Sequence, residues 1–394
     1  MLVMTKPAPA LAIHELGTRA RIAAWALSDH WTRPIAQDVK DVPWHADAIS
    51  PAWLSAVLSS MSGGAGIQAI HTLGGDQGSS LRRRLQLHWQ SEHPDRLLPT
   101  SVFSKSTPTL AMRLSAGIAA VAEGRFLLEA DPSLTIEKPA CWYSARDAAT
   151  GRSMHIMEDL VMTKGAQFLN ADSVLTEAEA LQVTQTLATL HGHFLQSASP
   201  APAWLATYED FFTAARRSGI EAAHQTAMQR ASSVIPPTLR GQGTSLWQAA
   251  ERALILHQTP ERTVIHSDVH VGNWYRTGEG LLGLCDWARV CRGHWGRDLA
   301  YALATTLTVD QRRHWESGLL EHYVEVRNQF THGRTTLEAA QLACRQHAFA
   351  ALLMWTPTLC PPDILPAMQP EQVSLTMIHR ITTAIDDHNA LDSI

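Results

Sequence analysis

The run Thr263-Val264-Ile265-His266-Ser267-Asp268-Val269-His270-Val271-Gly272-Asn273-Trp274 decides the reading of this 394-residue chain. After a turn bearing Gly278 and Gly280 comes a second run, Leu281-Leu282-Gly283-Leu284-Cys285-Asp286-Trp287. One apolar stretch delivers an aspartate, an asparagine follows five residues later, and another apolar stretch delivers a second aspartate. The pattern predicts a β-hairpin between roughly 263 and 286 with its polar residues gathered for chemistry.

Phosphoryl transfer requires a set of this kind. One carboxylate orients the acceptor hydroxyl and takes its proton, a role that suits Asp268. An amide oxygen and a further carboxylate hold magnesium near the phosphates, and Asn273 and Asp286 offer those oxygens to a hard ion. A different reading takes His266, Asp268 and His270 as the ligands of a metal-dependent hydrolase, since alternation along a strand would put all three on one face. No other cluster of His or carboxylates supplies a convincing remainder of such a set. In His191-Gly192-His193, residues two apart on a helix face different ways, so one ring is expected to pack and the other to be solvated.

His266-x-Asp268-x-x-x-x-Asn273, followed by Asp286-Trp287 and by Gly293 to Asp298-Leu299-Ala300, resembles the signature of the aminoglycoside phosphotransferase, choline kinase and ecdysteroid-kinase-like superfamily. Members are small-molecule kinases with a protein-kinase-like fold. The resemblance implies a bilobal α+β architecture: an N-terminal extension over 1–45, a small β-rich ATP-clamping lobe over 46–160, and a larger, mostly helical lobe over 161–394. The helical lobe would carry the catalytic loop and the acceptor pocket. The resemblance further implies ATP as phosphoryl donor, Mg2+ as its counter-ion, and a small-molecule hydroxyl acceptor of aminoglycoside, choline or other alcohol type. Lys105 falls where the family has its phosphate-contacting lysine, in preference to Lys138 or Lys164. Glu123, rather than Glu129, falls where the helix glutamate pairs with it. Met157-Glu158-Asp159-Leu160 is similar to the adenine-binding hinge, which marks Glu158 and Leu160. His266 and Asp298 match supporting positions. Ser267 stands where glycine is most common, and Ala288, His294 and Trp295 are further departures. A nucleotide-binding pseudokinase is the alternative from another class, although Asp268, Asn273 and Asp286 are all present.

Gly74-Gly75-Asp76-Gln77-Gly78-Ser79-Ser80 has two readings. Gly75, Gly78 and Ser79 either cover phosphates with backbone N–H groups or form a plain hairpin turn. The thirteen tryptophans are for the most part more simply core or helix-packing residues; Trp274 and Trp287, beside the catalytic positions, have pocket shaping as the alternative reading.

Composition narrows the field. The net charge is −5, the pI is near 6.5, and no basic stripe is present, which argues against nucleic acid as a partner. Five cysteines, an odd number without a CxxC pair, fit reduced thiols in a cytoplasm. Residues 1–27 are interrupted by Lys6, His14, Glu15, Arg19 and Arg21, so no membrane span is expected there. Oligomeric state is not legible. Helices are expected near 13–27, from Ser50-Pro51, over Leu110–Glu129, and from the capping box Thr176-Glu177-Ala178-Glu179. After Asp298 the pattern is helical, with breaks at Pro357, Pro361, Pro362 and Pro366.

Overall fold

The computed structural model describes residues 9–90, 98–116, 119–129, 131–195, 200–259, 261–330, 334–362 and 368–394. The chain divides into two compact units, residues 1–128 with 140–163, and residues 129–139 with 164–394. The first is organised on an antiparallel sheet and the second is mostly helical, so the fold is α+β.

The first unit begins with α1 (Pro9–Thr32), and this helix is tied into the unit rather than appended to it. Asp29 is buried, and its carboxylate takes hydrogen bonds from Arg113 Nη2 at 2.6 Å and Arg152 Nε at 2.9 Å. Ser50 accepts the Trp53 N–H and Pro51 occupies the first turn of α2 (Pro51–Val57), as the sequence predicts. A short α3 (Ser59–Ser62) leads into β1 (Ile67–Gln77), β2 (Leu81–Trp89) and β3 (Ser101–Ser106). Helices α4 (Leu110–Ala116) and α5 (Ala119–Glu129) occupy the stretch read as one helical run, on either side of residues 117–118. Strands β4 (Cys141–Arg146) and β5 (Ser153–Glu158) complete a sheet of order β1-β2-β3-β5-β4.

Successive strand residues point to opposite faces. Leu85, Leu87, Val102, Met154 and Ile156 pack with Trp53, Leu54 and Leu58 into the core of this unit. The register places Arg82, Arg84, Lys105 and His155 on the other face. There Gly124 lets α5 settle against the sheet: a Cβ at this position would lie 2.4 Å from His155 Nδ1 and from Ser144 Oγ.

After α6 (Leu160–Lys164) and β6 (Gln167–Phe168), α7 (Glu177–His193) starts at the reciprocal capping box of Thr176 and Glu179. Helices α8 (Tyr208–Arg217), α9 (Ile220–Arg230) and α10 (Gly243–Ala253) precede four short strands, β7 (Arg262–Ile265), β8 (Trp274–Arg276), β9 (Leu282–Leu284) and β10 (Cys291–His294). The hairpin expected between 263 and 286 is corrected here. The hairpin is β8–β9, with β6 on its edge, while β7 pairs antiparallel with β10. Residues 266–273 therefore cross from one small sheet to the other, and strand alternation does not apply to them.

The remaining helices are α11 (Gly296–Thr306), α12 (Val309–Asn328), α13 (Leu337–Leu359) and α14 (Glu371–Asp387); α11 packs on α13, and α7 on α12. Pro357 does not end α13 but lies in its last turn, where Thr356 and Thr358 hydroxyls bond the carbonyls of Leu352 and Met354. Pro366 lies outside the described residues. The five cysteines are free thiols. Among the described residues no helix is long and apolar enough to cross a membrane.

Candidate active site

At Ile265 strand β7 ends and the chain enters the loop 266–273, whose last three residues form a single 3-10 turn. Asp298, fully buried in the first turn of α11, grips the start of this loop. Its Oδ2 accepts the His266 N–H at 2.6 Å and its Oδ1 accepts the Ser267 N–H at 2.8 Å. Burial alone would raise the Asp298 pKa, but the hydrogen bond from His191 and the charge of Arg297 hold it below the ordinary carboxylate value. The brace is an anion.

His266 donates from Nε2 to the Cys285 carbonyl at 3.0 Å and accepts the Asp268 N–H on Nδ1 at 3.2 Å. Burial lowers its pKa, and the neutral ring, with one donor and one acceptor, matches both partners. Cys285 in turn donates its N–H to the Asn273 carbonyl at 2.9 Å. Asn273 Nδ2 donates to the Asp268 carbonyl at 2.7 Å. These bonds lash together the backbones that carry Asp268, Asn273 and Asp286.

Both nitrogens of His266 are thus committed to backbone, and Nδ1 of His270 accepts the Gly272 N–H at 3.1 Å. His266, Asp268 and His270 form no common ligand set, because the loop is not a strand. Among the described residues, no three His, Cys, Asp or Glu side chains gather as a metal site. Ser267 (φ 66°) and Asp286 (φ 58°) occupy the left-handed region, where a residue with a Cβ is strained by about 1–2 kcal/mol. Position 267 accordingly favours glycine, the residue the resemblance leads one to expect there. Strain of this kind concentrates at functional sites.

The neighbouring tryptophans follow the core reading, whereas the His191–His193 pair departs from expectation. Trp274 and Trp287 are fully buried, and their indole N–H groups bond the carbonyls of Val269 at 3.1 Å and Leu284 at 2.9 Å. They pack beneath the loop rather than line a pocket. His191 and His193 are both buried, because the last two turns of α7 are enclosed on all sides. His191 Nδ1 lies 2.9 Å from Tyr323 Oη and its Nε2 3.4 Å from Asp298. The sequence reading missed Tyr301, which donates from Oη to Asp268 Oδ1 at 3.1 Å. The available signal was its spacing: Tyr301 follows Asp298 by three residues on α11, so both face the loop.

In the first unit, Lys105 Nζ meets Glu123 Oε2 at 2.6 Å, both side chains being largely buried. Their rivals are engaged elsewhere: Lys164 with Glu137 at 2.5 Å, and Glu129 with Trp204 Nε1 at 2.7 Å. Arg82 stands directly across the strand pair from Lys105 and bonds Asp76 Oδ1 at 2.5 Å. Gly74 to Gln77 belong to β1, and the turn is formed by Gly78, Ser79 and Ser80. At Gly75 (φ 151°) a Cβ would fall 2.0 Å from the Arg82 carbonyl oxygen, so glycine is required by the strand pairing itself. Glu158 ends β5 with its N–H on the Ala140 carbonyl at 2.9 Å and its Oε2 accepting the Ala140 N–H at 3.0 Å. Leu160 begins α6, where an N–H has no intrahelical acceptor. Between them Asp159 is buried against Arg84 Nε (3.0 Å) and Ser101 Oγ (2.7 Å).

In the second unit the donors suited to a hard divalent ion are the carboxylate of Asp286 and the Asn273 amide, whose nitrogen is occupied by Asp268 and whose Oδ1 is turned away from it. No curated protein matches the chain by sequence. By structure it is similar to a choline kinase from Streptococcus pneumoniae (12% identity, TM-score 0.44, covering 85% of this chain and 98% of that one). It is also similar to a choline/ethanolamine kinase family protein from Mesorhizobium loti (16%, 0.47, 86% and 97%). A third likeness is to a spectinomycin phosphotransferase solved with ADP and spectinomycin (12%, 0.47, 87% and 99%). Residues 130–336, more than half of the 394, match the phosphotransferase enzyme family APH, and the chain belongs to that family.

Proposed function

We propose that the protein transfers the γ-phosphoryl group of ATP to a hydroxyl of a small molecule, with Asp268 as the base. The observation that carries this reading is the loop 266–273, whose backbone is held by buried hydrogen bonds and bears Asp268 and Asn273, while the Cys285 N–H on the Asn273 carbonyl ties the segment of Asp286 to it. Asp268 accepts the proton of the acceptor hydroxyl as the acceptor oxygen bonds to the γ-phosphorus. The bond from that phosphorus to the β–γ bridging oxygen breaks, and ADP departs. Asn273 and Asp286 would hold Mg2+, which when bound offsets charge on the phosphates. Asp298 and His266 keep the loop in place and do not touch substrate.

Nucleotide contacts are assigned to the first unit. Lys105, oriented by Glu123, meets the phosphates, and the turn at Gly75, Gly78 and Ser79 covers them. Glu158 and Leu160 border the adenine, with the Leu160 N–H as the donor. The acceptor is an alcohol of aminoglycoside, choline or other type.

The test is ADP release from Mg-ATP across a panel of hydroxyl compounds, with mass detection of the phosphorylated product. Asp268→Asn should lower turnover by about 10³-fold while ATP still binds. Equal turnover in that variant would remove Asp268 from the chemistry. Nucleotide binding with no turnover of any compound would favour the pseudokinase alternative.

A further inference from the structure

We infer that Tyr301 is a positioning residue for this reaction: its phenol fixes Oδ1 of Asp268 so that Oδ2 is the oxygen presented to the acceptor hydroxyl. The inference rests on the reading of Asp268 above and adds a group to it.

A carboxylate has two equivalent oxygens and turns easily, whereas a base must meet its proton in one orientation. The fold supplies what is needed to stop that rotation. Tyr301 is 1% exposed and lies on α11 one turn beyond Asp298, so the helix that grips the loop backbone also reaches the loop's carboxylate. Its ring is clamped. The Arg297 guanidinium lies 4.8 Å from the ring centroid and also donates to the Ser267 carbonyl at 3.1 Å. Burial, followed by the charge of Asp268, pushes the phenol pKa well above its ordinary value, so the hydroxyl remains a donor at every working pH.

His270 Nε2 stands 4.0 Å from the same Oδ1, its ring 6.4 Å from Tyr301 and 5.2 Å from Trp355. Two groups thus address Oδ1, and among the described residues none bonds Oδ2. The other charged or titratable groups around the loop are His266, Asp286, Arg297 and Asp298.

The experiment compares wild type and Tyr301→Phe in Mg-ATP turnover, read as ADP release with water as acceptor and with any compound of the panel that proves active. The expected result is a kcat lower by about tenfold, the worth of one hydrogen bond to a charged group. KM for ATP and the thermal midpoint should hold. An unchanged kcat would overturn the inference, as would a loss accompanied by a changed KM and a lowered thermal midpoint. If the wild type turns over nothing, the kinase reading itself fails, and this inference with it. Should Tyr301→Phe not fold, wild type with its tyrosines replaced by 3-fluorotyrosine gives the complementary result. The more acidic phenol is a stronger donor and should change kcat with KM for ATP unaltered; an unaltered kcat would refute the role.

Discussion

Lys105 and Asp268 are held in opposite ways. In the first unit a strand lysine meets a helix glutamate through side-chain atoms alone, across 18 residues of sequence. In the second, Asp268 sits on a loop whose N–H and C=O groups are themselves fixed, by Asp298, His266 and Asn273. A side-chain ion pair can open and exchange partners, which would suit the phosphate contact proposed for Lys105. A loop tied through buried backbone groups cannot shift without leaving a donor unpaired, which would suit the preorganised base proposed at Asp268.

The sharpest way to break this comparison is Asp298→Ala. It strands the buried His266 and Ser267 N–H groups and leaves Arg297 without its neighbouring charge, and should lower unfolding stability by about 3–5 kcal/mol in urea titration. A loss below about 1 kcal/mol would mean the loop does not depend on that brace. Lys105→Met and Glu123→Leu should each cost about 3 kcal/mol, since each removes the ion-pair partner of a buried charge. The double variant should cost less than the sum, while ATP affinity, measured by calorimetry, stays low in all three. Strict additivity would show the pair to be uncoupled.

Acid should weaken the second unit through its buried imidazoles. Burial holds His224 and His294 down to about 4, from 6.5. Below pH 6.5 the unfolded chain takes protons that these folded histidines refuse until about pH 4. Stability present at neutral pH is therefore lost as pH falls through that window, by about 2 kcal/mol per histidine at pH 5. Unfolding free energies at pH 7 and pH 5 should show this dependence, and His224→Asn should reduce it. The smallest effect is expected from Ser267→Gly, which relieves the left-handed strain and should raise stability by about 1 kcal/mol, with the catalytic pH profile unchanged.

Much of the site could be read from local signals. Apolar runs leading to Asp268 and Asp286, the caps at Ser50 and Thr176, and the lysine one residue before the end of β3 each depend on residues close in sequence. What could not be read depends on pairing between distant segments. The partner of β7 is β10 rather than β8, and this places His266 and His270 on a crossing loop and ends their common face. His193 is buried because α7 is covered by distant elements, and nothing in its own turn announces this. Asp29 likewise belongs to the sheet-bearing unit only because Arg113 and Arg152, more than 80 residues away, converge on it.

Residue types and spacing were enough to suggest a phosphotransferase: Asp268, Asn273 and Asp286 suit the oxygen-ligated ion and activated hydroxyl proposed for them. How those groups are held follows from contacts between segments far apart in the chain. Asp298 reaches back 32 residues to two backbone N–H groups, and Tyr301 reaches 33 to one carboxylate oxygen. Burial then makes each such bond strong and each orphaned group costly, a consequence of packing that no local pattern encodes.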